Sequence, residues 1–386
     1  MGSLEFPCRF GKYLLLSRVA FGGMAEVLLA VEQTQHGGSR FVTIKRIKPE
    51  HAKDADYIEF FLTEGRVALR CTHRHLPQAF ELGVIDGVHY LAMEYIRGHT
   101  LLDVVRTASR NKTHVSLALA ARVGTAIAEA LEYIHGLCDV DGRSLRIVHR
   151  DVTPQNIMIS AAGSVKLIDF GIVRSTMQTH RTQAGVVKGK FAYLAPETVI
   201  HRGRIDQRAD LFALGICLYE TLTGRPLFRG TTDKDTLARL RNLKVPLLTE
   251  KRSDVPLVLA EVVKTALMRQ PDERFQTATE FLSSLENAVE TAQIFHSTTR
   301  LRDETIAICG DPKLPTLSKE QLAILSREVT AHEMMRPANL VPATPGSGVD
   351  EDPELMYFLS QASAESPADA VPVIEDPNLA ELLSRA

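Results

Sequence analysis

The chain has 386 residues, of which 45% are hydrophobic and 24% charged, close to the average of globular proteins. Its length suits a two-lobed domain with an extension better than one compact core. A formal net charge of -2 gives no overall field that would draw it onto nucleic acid or an anionic membrane, and we expect neither partner.

Cysteine usage and apolar runs indicate the compartment. The five cysteines show no C-x-x-C spacing, which favours reduced thiols over a zinc site. The longest apolar runs, such as 211–222, fall short of the ~20 residues that cross a bilayer. The N-terminus lacks the basic start and apolar run of a secretory signal. We therefore expect no membrane span and a cytoplasmic location.

The first hundred residues carry strand signals and one helical stretch. The predicted elements are an antiparallel three-strand meander over 12–48, a helix over 55–70, and two strands over 78–85 and 88–95. The last two strands flank Asp86-Gly87, a strong hairpin signal. The pattern predicts a small antiparallel five-stranded sheet lobe with one helix over 12–97, preceded by a lead of residues 1–11.

From residue 98 onward the apolar spacing becomes mainly helical. Helices are predicted over 117–137, 210–223, 257–268 and 277–289. An irregular connection over 146–205 lies among them, and so long a connection inside a compact domain is usually functional. These elements predict a larger, mainly helical lobe over 98–293, and hence an α+β fold with two lobes.

Apolar periodicity fades after residue 293, where proline, serine, threonine and acidic residues accumulate. One helix is predicted near 319–335. Residues 294–386 are therefore predicted to form a largely disordered acidic, proline-containing tail with short helices. Such pieces could dock onto a partner protein, with an inert solubilising extension as the alternative.

A glycine-rich turn joins the first two predicted strands. Its residues are Val19, Ala20, Phe21, Gly22, Gly23, Met24, Ala25, Glu26 and Val27. Backbone amides in such a turn can approach phosphate oxygens, although the segment alone would more often be a plain hairpin. Lys45 in the third strand could neutralise α- and β-phosphates, and Glu64 could hold its ammonium by a charge-assisted hydrogen bond. An outward-facing lysine and a solvated glutamate are the alternatives.

The most informative residues follow in the irregular connection. Segment 147–156 reads Ile-Val-His-Arg-Asp-Val-Thr-Pro-Gln-Asn, and Asp169-Phe170-Gly171 comes shortly after it. Asp151 could accept the proton of a substrate hydroxyl, while Asn156 and Asp169 offer the hard oxygen ligands that magnesium requires. Each short string alone could be a turn, but their order along the chain makes chance a poor explanation.

In this order the motifs resemble the protein kinase family, in its bacterial serine/threonine branch, across approximately residues 10–290. The Ala195-Pro196-Glu197 string and Arg274 extend the match. The resemblance implies the bilobal protein-kinase fold, ATP and Mg²⁺ as cofactors, protein substrates, and a pairing of Glu197 with Arg274. It thereby implies a serine/threonine kinase that autophosphorylates, in bacterial intracellular signalling.

The resemblance also implies residues that hold adenine. Met93 would be the gatekeeper, with Glu94 and Ile96 offering backbone groups to the base. The chain departs from the family where alanines, Ala20 and Ala25, replace the first and third loop glycines. Alanine lacks easy access to positive φ, so we expect a stiffer loop.

A second departure concerns the phosphate being transferred. Thr153 stands where serine/threonine kinases carry a lysine that contacts this phosphate, and Lys190 stands where the family usually has a threonine. In the family these two side chains lie close together. We hypothesise that Lys190 supplies the cation that Thr153 lacks; a surface lysine is the alternative.

Arg150 precedes the predicted base, and a phosphate on the following loop could neutralise its guanidinium. Candidate phosphorylation sites in that loop are Ser175, Thr176, Thr179 and Thr182. Such loops are also commonly rich in Ser and Thr without being modified. Two other functions remain open: a pseudokinase scaffold, which Thr153 favours, and tyrosine specificity, against which the absence of an Ala-x-Arg string after Asp151 argues.

Overall fold

The structure is a computed structural model, and it describes residues 5–33, 39–139, 141–169, 190–200, 205–242, 244–318, 321 and 324. Its described residues divide into two compact units. Unit one takes in residues up to 73, residues 77–97 and those from 313 onward, and unit two takes in 74–76 and 98–312. None of the helices among the described residues combines the length and the apolar character that crossing a membrane requires.

Unit one is built on an antiparallel sheet with the order β1-β2-β3-β4-β6-β5. The strands are β1 (Cys8–Phe10), β2 (Tyr13–Phe21), β3 (Ala25–Gln33), β4 (Ser39–Ile47), β5 (Ala79–Ile85) and β6 (Val88–Glu94). The predicted hairpin between the last two is confirmed, because Asp86 and Gly87 both adopt positive φ, of 51° and 77°.

The sheet has six strands where the sequence predicted five. The additional strand, β1, lies inside the predicted lead, and Gly11 at φ 55° turns it back onto β2. Phe10 is buried there against Tyr90, with ring centroids 5.3 Å apart. A run of three residues is too short for its alternation to register as a strand.

Helix α1 (Ala55–Arg70) has the predicted bounds and packs on the sheet. Asp54 caps its first turn by accepting a hydrogen bond from the Asp56 amide. A Cβ on Gly65 would lie 2.6 Å from a methyl carbon of Leu82, so a larger residue there would displace the Leu82 side chain where α1 approaches β5. The contact fixes the position of Glu64, the residue before it.

Unit two is mainly helical. Its helices are α2 (Leu101–Arg110), α3 (Leu117–His135), α4 (Pro196–Ile200), α5 (Arg208–Thr223), α6 (Asp233–Asn242), α7 (Leu248–Lys251), α8 (Leu257–Ala266), α9 (Ala278–Thr291) and α10 (Thr298–Cys309). Helix α5 is buried on nearly all sides and contacts α3 and α8, so it forms the centre of this unit.

A small antiparallel sheet carries the irregular connection. It consists of β7 (Gly98–Thr100), β8 (Ile157–Ser160) and β9 (Val165–Leu167), in the order β7-β8-β9. A Cβ on Gly98 would lie 2.1 Å from the carbonyl oxygen of Ile159, so glycine is required for these strands to meet. The 3₁₀ turn Lys190–Tyr193 precedes α4.

Helix α10 was not predicted, because the apolar spacing of its sequence is weak. It packs on α2, α3 and β8, and its own residue Leu301 is buried. Glu304 accepts hydrogen bonds from the backbone nitrogen and the hydroxyl of Ser116, the residue that caps α3. Tertiary contacts therefore stabilise a helix that the apolar spacing of its own sequence does not predict.

Candidate active site

The glycine-rich turn is the tip of the β2–β3 hairpin in unit one. The Gly22 amide donates to the Ala25 carbonyl at 2.9 Å, and the Lys48 amide donates to the Met24 carbonyl at 3.1 Å. Val19 and Phe21 are each 59% exposed. The turn is thus closed by backbone hydrogen bonds, with apolar side chains open to solvent beside it.

Side chains near this turn form a charged network that sequence reasoning missed. Glu26 is buried and accepts hydrogen bonds from Arg18 at 2.7 Å and from Arg46 at 2.8 Å. The ammonium of Lys48 lies 3.7 Å from the ring centroid of Phe21. Arg46 stands opposite Glu26 in the strand register, which a correct strand pairing would have revealed.

Lys45 and Glu64 meet in unit one. The ammonium nitrogen lies 2.5 Å from a carboxylate oxygen, and both side chains are buried. Strand β4 sets the direction of Lys45, since neighbouring side chains on a strand point to opposite faces. The sequence-predicted pairing is therefore present, and a buried ammonium so fixed can act as a point charge toward phosphate.

The residues suggested for adenine lie at the end of β6. Met93 pairs with Thr43 across the sheet. The Glu94 amide donates to the Gln78 carbonyl at 2.8 Å, and the Glu94 carboxylate accepts from the Gln78 amide at 3.1 Å. Ile96 follows and is buried. This double link fixes the backbone just before residue 97.

In unit two, Asp210 at the start of α5 organises the loop before Asp151. Its carboxylate accepts the amides of His149 and Arg150 at 2.7 and 2.8 Å, and one oxygen lies 2.9 Å from His135 Nε2. Burial raises the pKa of Asp210, but the hydrogen bond from His135 and its other partners outweigh burial and leave the pKa below its usual range. An ionised buried carboxylate thus anchors the loop.

Asp151 and Asn156 are joined directly. The Asn156 side-chain nitrogen donates to the Asp151 carbonyl at 2.9 Å and to its carboxylate at 2.8 Å. Since the nitrogen end is committed to Asp151, the amide oxygen is the end that can bind a cation. The Ile168 amide donates to the Asn156 carbonyl at 2.7 Å, which connects this loop to the segment bearing Asp169.

The backbone around these residues is unusual. Arg150 and Asp169 adopt positive φ of 63° and 60°, a region that residues other than glycine seldom occupy. Burial lowers the pKa of the His149 imidazole and of the Arg150 guanidinium. Such local strain is held only where surrounding contacts enforce it, and it is concentrated at functional sites.

The protein kinase domain family matches residues 13–285. The chain belongs to this family. The kinase domain therefore contains both the Lys45–Glu64 pair and the loop around Asp151.

Several curated relatives cover the kinase domain. A tyrosine-protein kinase, MasK of Myxococcus xanthus, is 37% identical over 278 residues, 72% of this chain and 43% of the relative. Two serine/threonine-protein kinases are PknB of Mycolicibacterium smegmatis, 35% identical over 71% of this chain and 42% of its own, and PrkC of Bacillus subtilis, 28% identical over 83% and 47%. The chain thus spans less than half the length of these relatives.

Solved structures agree on the fold. The crystal structure of the Mycobacterium tuberculosis PknI kinase domain superposes with a TM-score of 0.55 and 26% sequence identity, covering 74% of this chain and all of that one. The expectation of the protein-kinase fold is confirmed.

The kinase domain has its Glu197–Arg274 ion pair. Two nearly parallel contacts of 2.9 and 2.7 Å join the guanidinium to the carboxylate, and Arg274 is fully enclosed. Arg274 also donates to the Met268 carbonyl and stacks over Phe212 at 4.6 Å. This pair, implied by the family resemblance, ties α4 to the turn before α9.

Thr153 carries a feature of its own. Its side chain is 3% exposed, and among the described residues its hydroxyl has no hydrogen-bond partner. Lys190 opens the 3₁₀ turn, and its side chain lies outside what the structure describes. The proposed phosphorylation sites Ser175, Thr176, Thr179 and Thr182 also lie outside the described residues.

A buried acid of the kinase domain escaped sequence reasoning. Glu220 on α5 accepts hydrogen bonds from the Tyr193 hydroxyl at 2.7 Å and the Leu227 amide at 2.9 Å. Burial raises the pKa of its carboxyl to about 7, although both hydrogen bonds lower it. A glutamate one turn from the end of a predicted apolar helix was the available signal.

Proposed function

We propose that the chain is a protein kinase that transfers the γ-phosphate of ATP to serine or threonine hydroxyls of proteins. The observation that carries this proposal is the double hydrogen bond from Asn156 to Asp151. It fixes a carboxylate and an amide oxygen side by side, as proton acceptance and cation binding at one phosphate require.

Asp151 is the proposed base. The residue is 6% exposed and its carboxylate is oriented by Asn156, so it can accept the proton of an attacking hydroxyl without first losing a large hydration shell. Arg150 and His149 position it through their amides, which Asp210 holds. Asp210 is thus a positioning residue, because it acts through the loop backbone.

The unit-one residues are proposed to hold the nucleotide. Lys45, fixed by Glu64, would neutralise the α- and β-phosphates, while amides of the turn over 19–27 would face phosphate oxygens. Met93, Glu94 and Ile96 would border adenine. The buried ion pair and the closed hairpin support these roles, since both present a preformed surface.

Magnesium fits the residues available in unit two. The oxygen of Asn156 and the carboxylate of Asp169 are the hard donors that this ion prefers, and Asn156 is already turned with its nitrogen toward Asp151. When bound, Mg²⁺ would supply positive charge to the β- and γ-phosphates. The positive φ of Asp169 sets the direction in which its side chain leaves the backbone.

Lys190 is proposed to replace the cation that Thr153 does not provide. A buried hydroxyl without a hydrogen-bond partner among the described residues supports the idea that Thr153 acquires one when other groups bind. We expect Lys190→Ala to slow phosphotransfer and the exchange Thr153→Lys with Lys190→Thr to restore it. Full turnover by Lys190→Ala would remove the idea.

Autophosphorylation on Ser175, Thr176, Thr179 or Thr182 is part of the proposal, with Arg150 as the group that a phosphate would meet. Burial of the Arg150 guanidinium supports this, because a buried cation gains from an anion. Mass spectrometry of protein with and without ATP tests it, and a loop that gains no phosphate contradicts it. Docking of the tail onto a partner protein stays a prediction.

Tyrosine is the second candidate acceptor. The relative that is 37% identical is named a tyrosine-protein kinase, whereas others are named serine/threonine-protein kinases. Thr153 adds a specific reason, since it departs from the serine/threonine pattern next to the proposed base. Acceptor choice is therefore an outcome that the assay has to distinguish.

The test is incubation with radiolabelled MgATP and a general protein substrate, followed by phosphoamino-acid analysis. Wild type should label serine and threonine, and Asp151→Asn should lose the label. Asp141→Asn is the matched control, because the Asp141 side chain is 64% exposed and the residue lies outside the loop around Asp151. Label on tyrosine alone would replace the acceptor, and ATP binding without any transfer would favour the pseudokinase scaffold.

A further inference from the structure

Residues beyond the family match return to unit one. Leu317 and Ile324 pack against the sheet, although the matched domain ends at residue 285. They pack against the buried side chains of Leu14 and Val31, as do the half-buried Leu16 and Phe41. Leu14 and Val31 are almost completely buried, at 0% and 1% exposure, so this end of the sheet is closed.

Polar contacts hold the covering residues, here called the 317–324 segment. The Ser318 amide donates to the Gln321 side chain at 2.7 Å, and the Gln321 amide donates to the Ser318 hydroxyl at 3.1 Å. This reciprocal pair is a capping box, which marks a helix start. Leu317 and Ile324 pack against the same cluster of the sheet. Arg9 on β1 donates to the Ile324 carbonyl at 2.5 Å.

The strand register identifies the covered face of the sheet. Between β3 and β4, Val31 stands opposite Phe41, Leu29 opposite Thr43 and Val27 opposite Lys45, with no bulge among them. Since side chains alternate along a strand, these three pairs lie on one face. The 317–324 segment therefore covers the same face that presents Lys45, about 13 Å further along the strands.

We propose that the 317–324 segment is a positioning element for nucleotide binding. It fixes one end of β3 and β4, and through these strands it sets the face on which Thr43 and Lys45 stand. The inference rests on the proposed function, because it assigns this face to ATP. Leu317, Ser318, Ile324 and Arg9 are its positioning residues, and none of them contacts the nucleotide itself.

The first test compares two substitutions in the same stretch. Leu317→Asp removes an apolar contact with the sheet, whereas Leu314→Asp changes a leucine that is already 60% exposed. Calorimetric titration of the full chain with MgATP should show about fivefold weaker binding for Leu317→Asp. The Leu314→Asp variant and the conservative Leu317→Met should bind like wild type.

A KM and kcat comparison separates positioning from general damage. Leu317→Asp should raise the KM for ATP by the same factor while kcat at saturating ATP stays within about twofold, because the residues around Asp151 are untouched. Arg9→Ala carries the test independently if Leu317→Asp fails to fold. It removes the hydrogen bond to the Ile324 carbonyl, and it should raise the KM for ATP as well.

A fluorescent reporter is available because the chain contains no tryptophan. Leu317→Trp would be the single tryptophan, whose emission can be excited selectively over that of tyrosine, and linkage requires that MgATP stabilise the docked segment if the segment favours MgATP. We expect MgATP to reduce quenching of this emission by acrylamide, and to leave the emission of Leu314→Trp unchanged.

The outcomes divide cleanly. If wild type binds no MgATP, the proposed function fails and this inference fails with it. If wild type binds MgATP and Leu317→Asp, Arg9→Ala and wild type share one Kd and one KM, the inference alone is overturned. A loss of kcat without a change in KM would also overturn it, since the segment would then be structural only.

Discussion

Two regions of this kinase domain present charged groups in different ways. In unit one, Lys45 and Glu64 are placed by a regular strand and a regular helix. In unit two, Asp151 and Asn156 lie in an irregular loop whose backbone amides donate hydrogen bonds to the carboxylate of Asp210. In unit one, many regular contacts share the stabilisation, so one substitution removes a small part of it. In the loop of unit two, the stabilisation depends on one buried side chain.

Removal of that side chain should have the largest effect. Asp210→Ala leaves the amides of His149 and Arg150 without their carboxylate, so we expect a loss of the order of 4 kcal/mol in the free energy of unfolding. Phosphotransfer should be abolished with it. Denaturant titration measures the first and the labelled-ATP assay the second, with Asp233→Ala at the start of α6 as control. A stable, active Asp210→Ala would show that the loop holds itself.

The Lys45–Glu64 pair provides the corresponding test in unit one. Lys45→Met leaves the Glu64 carboxylate buried without the ammonium, which should cost about 3 kcal/mol of unfolding free energy. Lys264→Met breaks an exposed ion pair, in which the side chains of Lys264 and Glu261 are 55% and 62% exposed. It should cost under about 1 kcal/mol of unfolding free energy. Chemical denaturation of both variants measures the contrast. Equal losses would mean that burial does not decide the value of these pairs.

The regularity of unit one also decided what the sequence could predict. The bounds of α1 and the Asp86-Gly87 hairpin followed from periodicity and turn chemistry. Strand β1 and helix α10 did not, because three residues show no alternation and α10 depends on contacts with distant helices.

In unit two the motif order named Asp151, Asn156 and Asp169, but not how they are held. The hydrogen bonds that Asp210 accepts from the amides of Arg150 and His149 span 60 and 61 positions along the chain, and no local pattern encodes them. The Glu26 network and the buried Glu220 were missed for the same reason. Both depend on which residues face each other after the chain has folded.

Glu220, on α5 of unit two, makes the stability of the folded protein depend on pH. Its pKa is about 7 in the folded protein against an ordinary value of 4.5. The folded state therefore holds the proton more tightly, so this group's contribution to stability is complete below about pH 4.5 and is lost as pH rises through about 7.

Glu220→Gln should remove that dependence. The difference in unfolding free energy between wild type and variant should change by about 1.4 kcal/mol per pH unit between the two pKa values, in favour of the variant as pH rises. The lost acceptor is the same at every pH, so it adds only a constant offset. Denaturant titrations at pH 5, 6, 7 and 8, values chosen to span roughly that window, measure it. A pH-independent difference would place the pKa near its ordinary value.

The smallest effect is expected on replacing Glu26. This substitution tests whether a carboxylate holds the glycine-rich turn as Asp210 holds the loop before Asp151. Glu26 and Glu32 are both buried on β3, and each accepts from cationic side chains: Arg18 and Arg46 for Glu26, Lys12 and Arg40 for Glu32. Replacement of either by Gln should cost about 1 kcal/mol of stability. Glu26 lies in the turn itself, so Glu26→Gln should also raise the KM for ATP, and by more than Glu32→Gln does.

That asymmetry follows from where the two carboxylates act. Glu26 fixes Arg46 and Arg18 next to a turn whose alanines limit its backbone freedom, so a looser network changes the direction of the turn amides. Glu32 fixes the far end of the same strand. A KM that rises equally in both variants would mean that the sheet as a whole, and not an anchor at the turn, sets the presentation of ATP.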